Sequence, residues 1–236
     1  MFTKILFTVS IFLIISCESA IDLSIVYYKQ GNELYDKQKF PEAIVKYTEA
    51  IKINSHDQNY FFNRGSAYYQ IEKYEMAVND YSKVLELFPQ NAIAIKSRGS
   101  AYFRMHNTSP AIDDFSKAIE INPFDTEALN NRAYVRTSLK DFLSALDDYN
   151  KAIKIDSLNS ILYYNRGAVL DSLTQYQSAV DNYTFALNIN SDNPQNYLAR
   201  GLSYLRLNKR DDACNDFKAA SLLDSNYAVY LKQFCN

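Results

Sequence analysis

The residue types able to do chemistry are sparse in this chain, and their spacing limits what they can do. Three cysteines (Cys17, Cys214, Cys235) and two histidines (His56, His106) are spread over 236 residues. No Cys/His set has metal-ligand spacing, so no metal is expected. The adjacent carboxylates Asp113-Asp114 and Asp147-Asp148 would point about 100° apart on a helix and do not converge as an acid–base pair. Glycine-rich phosphate loops and a His-supported Ser or Cys are absent from the sequence. No enzymatic activity, cofactor or small-molecule substrate is therefore expected. What does recur is arginine: Arg64, Arg98, Arg132, Arg166 and Arg200 stand 34 residues apart, and acids follow them at Asp80, Asp113, Asp114, Asp147, Asp148, Asp181 and Asp216. A row of guanidiniums would suit an anionic ligand. The other reading is a ladder of Arg–Asp contacts between helices, and the acids outnumber the arginines, which favours it.

The elements that would position these groups share the same spacing. All five glycines, Gly31, Gly65, Gly99, Gly167 and Gly201, lie whole multiples of 34 residues from the first, and the vacant slot holds Ala133. Glycine inside a helix costs roughly 1 kcal/mol relative to alanine, so each slot needs a local reason, and close approach of another backbone is the expected one. Twelve residues after each slot stands alanine (Ala43, Ala77, Ala111, Ala145, Ala179, Ala213), and four further on an aromatic (Tyr47, Tyr81, Phe115, Tyr149, Tyr183, Phe217). Small and then branched apolar residues follow at intervals of three, so the whole set shares one helix face. The unit is a helical pair, repeated six times without insertion.

At these residues the chain resembles the tetratricopeptide repeat family, whose 34-residue unit has small residues at positions 8, 20 and 27 and an aromatic at 24. The resemblance implies an all-α, right-handed superhelical solenoid of six helix-turn-helix repeats plus a C-terminal capping helix. The repeats are placed at 24–57, 58–91, 92–125, 126–159, 160–193 and 194–227, with the cap at 228–236. First helices should occupy roughly positions 1–14 and second helices 18–31. Position 17, usually aromatic, departs to Thr108 and Arg210 in repeats three and six, which puts the turn geometry there in question.

Composition is that expected of a folded soluble body: 47% hydrophobic, 22% charged, formal net charge −2. No basic stripe is present, so a nucleic-acid partner is not expected. The N-terminal stretch stands apart. Lys4 precedes an apolar run from Ile5 to Ile15, broken only by Thr8 and Ser10, shorter than the about 20 residues a membrane-spanning helix needs. Residues 1–16 read as a secretory signal. The run ends in Ile14-Ile15-Ser16-Cys17, which resembles a bacterial lipobox. That resemblance implies cleavage before Cys17, a diacylglycerol on its thiol and acylation of its new amino group, with residues 17–23 as a short lipidated tether. More than one acyl chain gives stable anchoring. The alternatives are an ordinary signal with an incidental cysteine, or a retained hydrophobic helix. Glu18 follows the cysteine rather than aspartate, so a lipid anchor in the bacterial cell envelope is expected, the outer membrane being favoured over the inner and the exposed face left open.

By resemblance to the family, positions 2, 5, 9, 12 and 13 of each repeat line a concave groove. Here they include Tyr28, Asn32, Tyr35, Phe62, Ser66, Tyr69, Lys96, Phe103, Arg104, Asn130, Tyr134, Tyr164, Asp171 and Leu198. Several of these aromatics lie outside the repeat's packing register, so burial between helices is not expected to account for them. Tyrosine offers contact area, a polar tip and little rotamer entropy to lose, which suits a peptide or helix in a groove. Family members that grip a chaperone's C-terminal carboxylate do so with lysines, asparagines and an arginine; Asn32 and Asn63 match, but Tyr28, Ile93 and Ser97 stand where cations belong. Cys214 and Cys235 fall in neighbouring units and could meet as a disulfide; two separate buried thiols are the alternative. The leading expectation is a lipid-anchored adaptor or scaffold that holds an envelope protein or peptide in its groove. The alternative is an architectural or self-associating solenoid with no specific groove ligand.

Overall fold

The computed structural model describes residues 23–235, and every regular element among them is helical. The stretch expected to be a signal, the lipobox-like residues and Cys17 lie outside the described residues. Two compact units divide the chain, one ending at Ile121 and the other beginning at Asn122. The first contains α1 (residues 23–36), α2 (Phe40–Ile53), α3 (Gln58–Gln70), α4 (Tyr74–Leu87), α5 (Ala92–Arg104) and α6 (Thr108–Ile121). The second contains α7 (Thr126–Ser138), α8 (Phe142–Ile155), α9 (Ser160–Ser172), α10 (Tyr176–Ile189), α11 (Pro194–Arg206) and α12 (Arg210–Leu223), then a 3₁₀ turn (Ser225–Tyr227) and α13 (Ala228–Phe234). Within each unit consecutive helices pack on one another, and α3 with α5, α7 with α9 and α9 with α11 also touch. None of the described helices is long and apolar enough to cross a membrane.

Helix starts follow from capping. Asp57, Asn91, Asp125, Asn159 and Asn193 each accept a backbone N–H two or three residues on, which satisfies an otherwise orphaned donor at the head of α3, α5, α7, α9 and α11. The turn inside each pair is equally regular. Gln38, Glu72, His106, Lys140, Thr174 and Asn208 have φ of 58°, 59°, 61°, 63°, 59° and 59°, in the left-handed region. In the second pair Glu72 N–H donates to the Tyr69 carbonyl at 3.0 Å and Lys73 N–H to that of Tyr68 at 2.9 Å, and the same two bonds recur in every pair. This double closure is the Schellman motif. It is tight enough that the second helix begins at position 17, one residue earlier than the periodicity predicts. Thr108 and Arg210 open α6 and α12 as the aromatics open the other second helices, so the departures there leave the turn unchanged. Arg210 has a further task, since its Nε donates to the Phe234 carbonyl at the end of α13 at 2.8 Å.

The glycine slots have a different cause from the one the spacing implies. A Cβ at Gly31 would meet Tyr47 Cε1 at 2.5 Å, at Gly167 Tyr183 Cε1 at 2.7 Å and at Gly201 Phe217 Cε1 at 2.6 Å. The close neighbour is thus the ring of the aromatic sixteen residues on. A backbone atom enters only at Gly201, where the Ala213 carbonyl lies at 3.3 Å. The six alanines that follow the slots are fully buried, as are Ala50, Ala118, Ala152, Ala186 and Ala220 one turn beyond the aromatics. At the C-terminal end Phe217 packs on Tyr230 and Phe234 of α13, with ring centroids 5.8 Å apart in both cases. Cys214 and Cys235 form a disulfide there, with Cα atoms 5.6 Å apart.

Candidate functional site

The recurring arginines are structural partners of the acid that follows sixteen residues on. Arg64 makes a two-pronged contact with Asp80 at 2.8 and 2.7 Å, Arg98 with Asp114 at 2.9 and 2.8 Å, Arg132 with Asp148 at 2.9 and 2.7 Å, and Arg200 with Asp216 at 2.9 and 2.8 Å. Their remaining nitrogens reach back to the preceding second helix: Arg64 to Thr48, Arg98 to Ser82 and Arg200 to Thr184. Arg64, Arg98 and Arg200 therefore each tie a pair together and tie it to the pair before. Burial disfavours the Arg64 charge, but the Asp80 carboxylate more than offsets this and holds the group above its ordinary value. Burial outweighs the same contact at Asp80 and raises its carboxyl. In the fifth repeat Asn182 replaces the acid, Arg166 bonds Asn182 and Asn150, and burial lowers the Arg166 guanidinium. The other acid of the adjacent pairs, Asp113 and Asp147, faces solvent, where Asp147 pairs with Lys151 at 2.6 Å; Asp181, beside Asn182, is exposed too and accepts from Gln177. The ladder, and not a ligand-facing row, accounts for these arginines.

First-helix residues expected in the groove turn out to serve the aromatics of the second helices. Each buried tyrosine hydroxyl must find a partner. The Tyr47 hydroxyl donates to Asn32 at 2.9 Å, Tyr81 shares a hydrogen bond with Ser66 at 3.2 Å, Tyr149 with Thr137, and Tyr183 donates to Asp171 at 2.9 Å. Where the aromatic is Phe115 or Phe217, no partner is required. Burial raises the hydroxyls of Tyr47, Tyr149 and Tyr183, and pushes that of Tyr81 up to about 12. The Asp171 carboxyl is likewise raised by burial, opposed by hydrogen bonds from Ser203 and Tyr183 and by the charge of Arg206.

The expected groove residues are described unit by unit. In the first unit Tyr28 packs on Tyr60 at 4.9 Å, Tyr35 on Phe40 at 5.1 Å, Phe62 on Tyr81 at 5.6 Å and Tyr69 on Tyr74 at 5.3 Å. Each is half-buried, so packing between helices accounts for part of every ring, a correction to the expectation that it would not. Arg104 is exposed and lies over the Tyr74 ring at 5.1 Å; Lys96 and Phe103 are half-buried. Asn63 donates both to Tyr28 at 3.0 Å and to Asn32 at 2.8 Å, so the two asparagines that match the carboxylate clamp spend that capacity on each other. In the second unit Tyr164 packs on Tyr183 at 5.7 Å, Asn130 accepts from Asn165 at 2.9 Å, and Tyr134 is 53% exposed.

Models of the repeat family match three stretches: a TPR repeat over residues 31–71, and tetratricopeptide repeats over 59–91 and 96–160. Together they span more than half of the chain. The chain belongs to the tetratricopeptide repeat family. Among solved structures, the repeat fold is shared with Pseudomonas aeruginosa pilF, at a TM-score of 0.74 and 15% identity, covering 92% of this chain and 99% of that one. A tetratricopeptide repeat protein from Parabacteroides merdae gives a TM-score of 0.68 at 23% identity, covering 90% and 84%. YrrB, described as a TPR protein with an unusual peptide-binding site, gives 0.63 at 20% identity, covering 79% and 97%. At these identities the likeness is one of fold. No curated protein matches the sequence.

For a tetratricopeptide repeat protein the informative surface is the first-helix face, and one of its features escapes the family register. Asp171 enters the sequence reading only as one groove position among many. Its contacts with Tyr183 and Ser203 span three helices, and no local pattern announces them. Among the described residues no group of His, Cys, Asp and Glu is arranged to hold a metal ion.

Proposed function

We propose that this protein is a protein-interaction adaptor that holds an extended peptide or a helix of a partner on its first-helix faces. It is tethered to a membrane of the bacterial envelope by lipid on Cys17. The observation that carries the reading is the state of the face aromatics: Phe62 and Tyr69 are packed against Tyr81 and Tyr74 and are still only partly buried. A ring already held in place loses little entropy on binding, which is the property of a preorganised contact surface. The peptide-binding site described for YrrB supports the same use of the repeat. The lipobox-like Ile14-Ile15-Ser16-Cys17 supports the anchor, and Glu18 in place of aspartate supports the outer membrane.

Crosslinking and affinity recovery from envelope membranes test this, comparing the native chain with Tyr134→Ala and with Arg104→Ala. Both side chains are exposed, so neither substitution threatens the fold. A partner recovered with the native chain and lost with either variant is the expected result. Identical recovery from all three would move binding off this face. A Cys17→Ala variant should lose palmitate labelling and leave the membrane fraction. The architectural reading rests on a separate observation, the second-helix residues Leu143 and Leu222, which are 76% and 79% exposed. Concentration-dependent self-association abolished by Leu143→Glu would favour it.

A further inference from the structure

In the second unit, the ends of α9 and α11 and the start of α10 enclose a hollow of about 300 Å³ lined by Asp171, Ser172, Tyr176, Leu202, Ser203 and Arg206. The Asp171 carboxylate faces it. Ser203, itself 1% exposed, places its hydroxyl 2.8 and 2.9 Å from the two carboxylate oxygens, and the Tyr183 hydroxyl lies 2.9 Å from one of them. Every hydrogen bond that Asp171 receives thus comes from a neutral group. It makes no ion pair with any described residue, and Arg206, from α11, lines the hollow without pairing to it.

The other repeats show that the charge is unnecessary for folding. Tyr47, Tyr81 and Tyr149 occupy the same register position as Tyr183, and their hydroxyls are satisfied by the neutral Asn32, Ser66 and Thr137. Only the fifth repeat uses a carboxylate for this task, and it does so where burial works against the charged form. Arg206 acts on this carboxylate only through space, with no ion pair between them, so the position for a directly paired cation is still open to a guest.

We infer that this hollow is a binding subsite for the side chain of a lysine or arginine in a peptide partner, with Asp171 as the counter-charge. Tyr176 and the stem of Leu202 would flank the aliphatic part of that side chain, as apolar walls commonly do for long cationic residues. The inference rests on the peptide-binding reading of the first-helix face and gives it a chemical preference.

A positional-scanning library of N-acetylated, C-amidated decapeptides tests it. The library is panned on the full-length chain and on its Asp171→Asn and Leu202→Trp variants, at low and high salt, after circular dichroism has shown each to be folded. Asparagine keeps an acceptor for Tyr183 and Ser203 and removes only the charge. Tryptophan leaves the carboxylate in place and covers the mouth of the hollow, and it carries the test should the first variant fail to fold. The expected result is that Lys or Arg dominates one position of the peptides held by the native chain. That preference should fall at least about tenfold in both variants and weaken with salt, while preferences at other positions persist. Peptides held without a basic preference, or with one unchanged in both variants, would overturn the cation subsite and leave the peptide-binding reading standing. No peptide held above the level of heat-unfolded chain would overturn both.

Discussion

At Gly201 a Cβ would lie 2.6 Å from the Phe217 ring, whereas at Gly99 the nearest atoms, on Asp114 and Phe115, are 3.1 Å away. Gly201→Ala should therefore destabilise by about 1–3 kcal/mol as the buried ring is forced aside. Gly99→Ala should be nearly neutral, the gain in helix propensity offsetting a small shift. Urea denaturation of the two variants gives the comparison. Ala133, at the same register position, already carries its Cβ in a fully buried setting, which shows that the site can accept one. Asp171 makes a second residue-scale prediction. Its folded-state carboxyl is raised, so ionising it costs stability above the ordinary carboxylate range, and that cost disappears as pH falls through its raised value. Asp171→Asn should accordingly be more stable than the native chain at neutral pH, with the difference closing toward pH ~4, as read from thermal unfolding across pH. The glycine and aromatic positions were legible in the sequence because they repeat. Their mutual contact was not, because the spacing of 34 conceals which of several helix faces the slot addresses.

The helix–turn–helix pair is the element on which every repeat depends, and its turn contains a residue that pays a conformational cost. Left-handed backbone costs an ordinary side chain roughly 1–2 kcal/mol, and a β-branched residue is least suited to it. Thr174, at φ 59°, is the only such residue among the six turn positions. Thr174→Gly should raise stability by about 0.5–1 kcal/mol, and Asn208→Gly should do less because asparagine tolerates this region. Paired thermal melts decide it, and a destabilised Thr174→Gly would mean that its side chain holds the turn by some other contact. The same turn explains why Thr108 and Arg210 are tolerated at position 17. The backbone bonds of the Schellman motif set where the second helix starts, so the side chain at that position is free to vary, and Arg210 uses the freedom to bind the end of α13.

At the scale of the whole molecule, stacked repeats bury their apolar faces only against neighbours, so the ends are where stability runs out. The C-terminal end closes with α13, held by Phe217 against Tyr230 and Phe234, by Arg210, and by the Cys214–Cys235 disulfide. The disulfide encloses a loop of 21 residues, for which chain entropy predicts a contribution of about 3 kcal/mol. Reduction should lower the urea midpoint, with hydrogen exchange rising first in α13 and then in α12. Uniform exchange across the second unit after reduction would show instead that the unit unfolds as one body.

Periodicity alone determined the repeat length, the helical pair, the number of repeats and the identity of the buried alanines and aromatics, because a repeated unit must meet the same neighbours each time. The expectation of a lipid anchor, carried by the lipobox-like Ile14-Ile15-Ser16-Cys17, belongs to linear sequence as well. What the tertiary structure decided are pairings between residues far apart in the chain: which acid of each adjacent pair an arginine takes, that the glycines make room for rings, and that groove residues such as Asn32 and Asp171 satisfy tyrosine hydroxyls. Those depend on the rotation of one helix against the next. Side-chain volume and hydrogen-bond geometry set that rotation at each contact, and a one-dimensional period carries no trace of it.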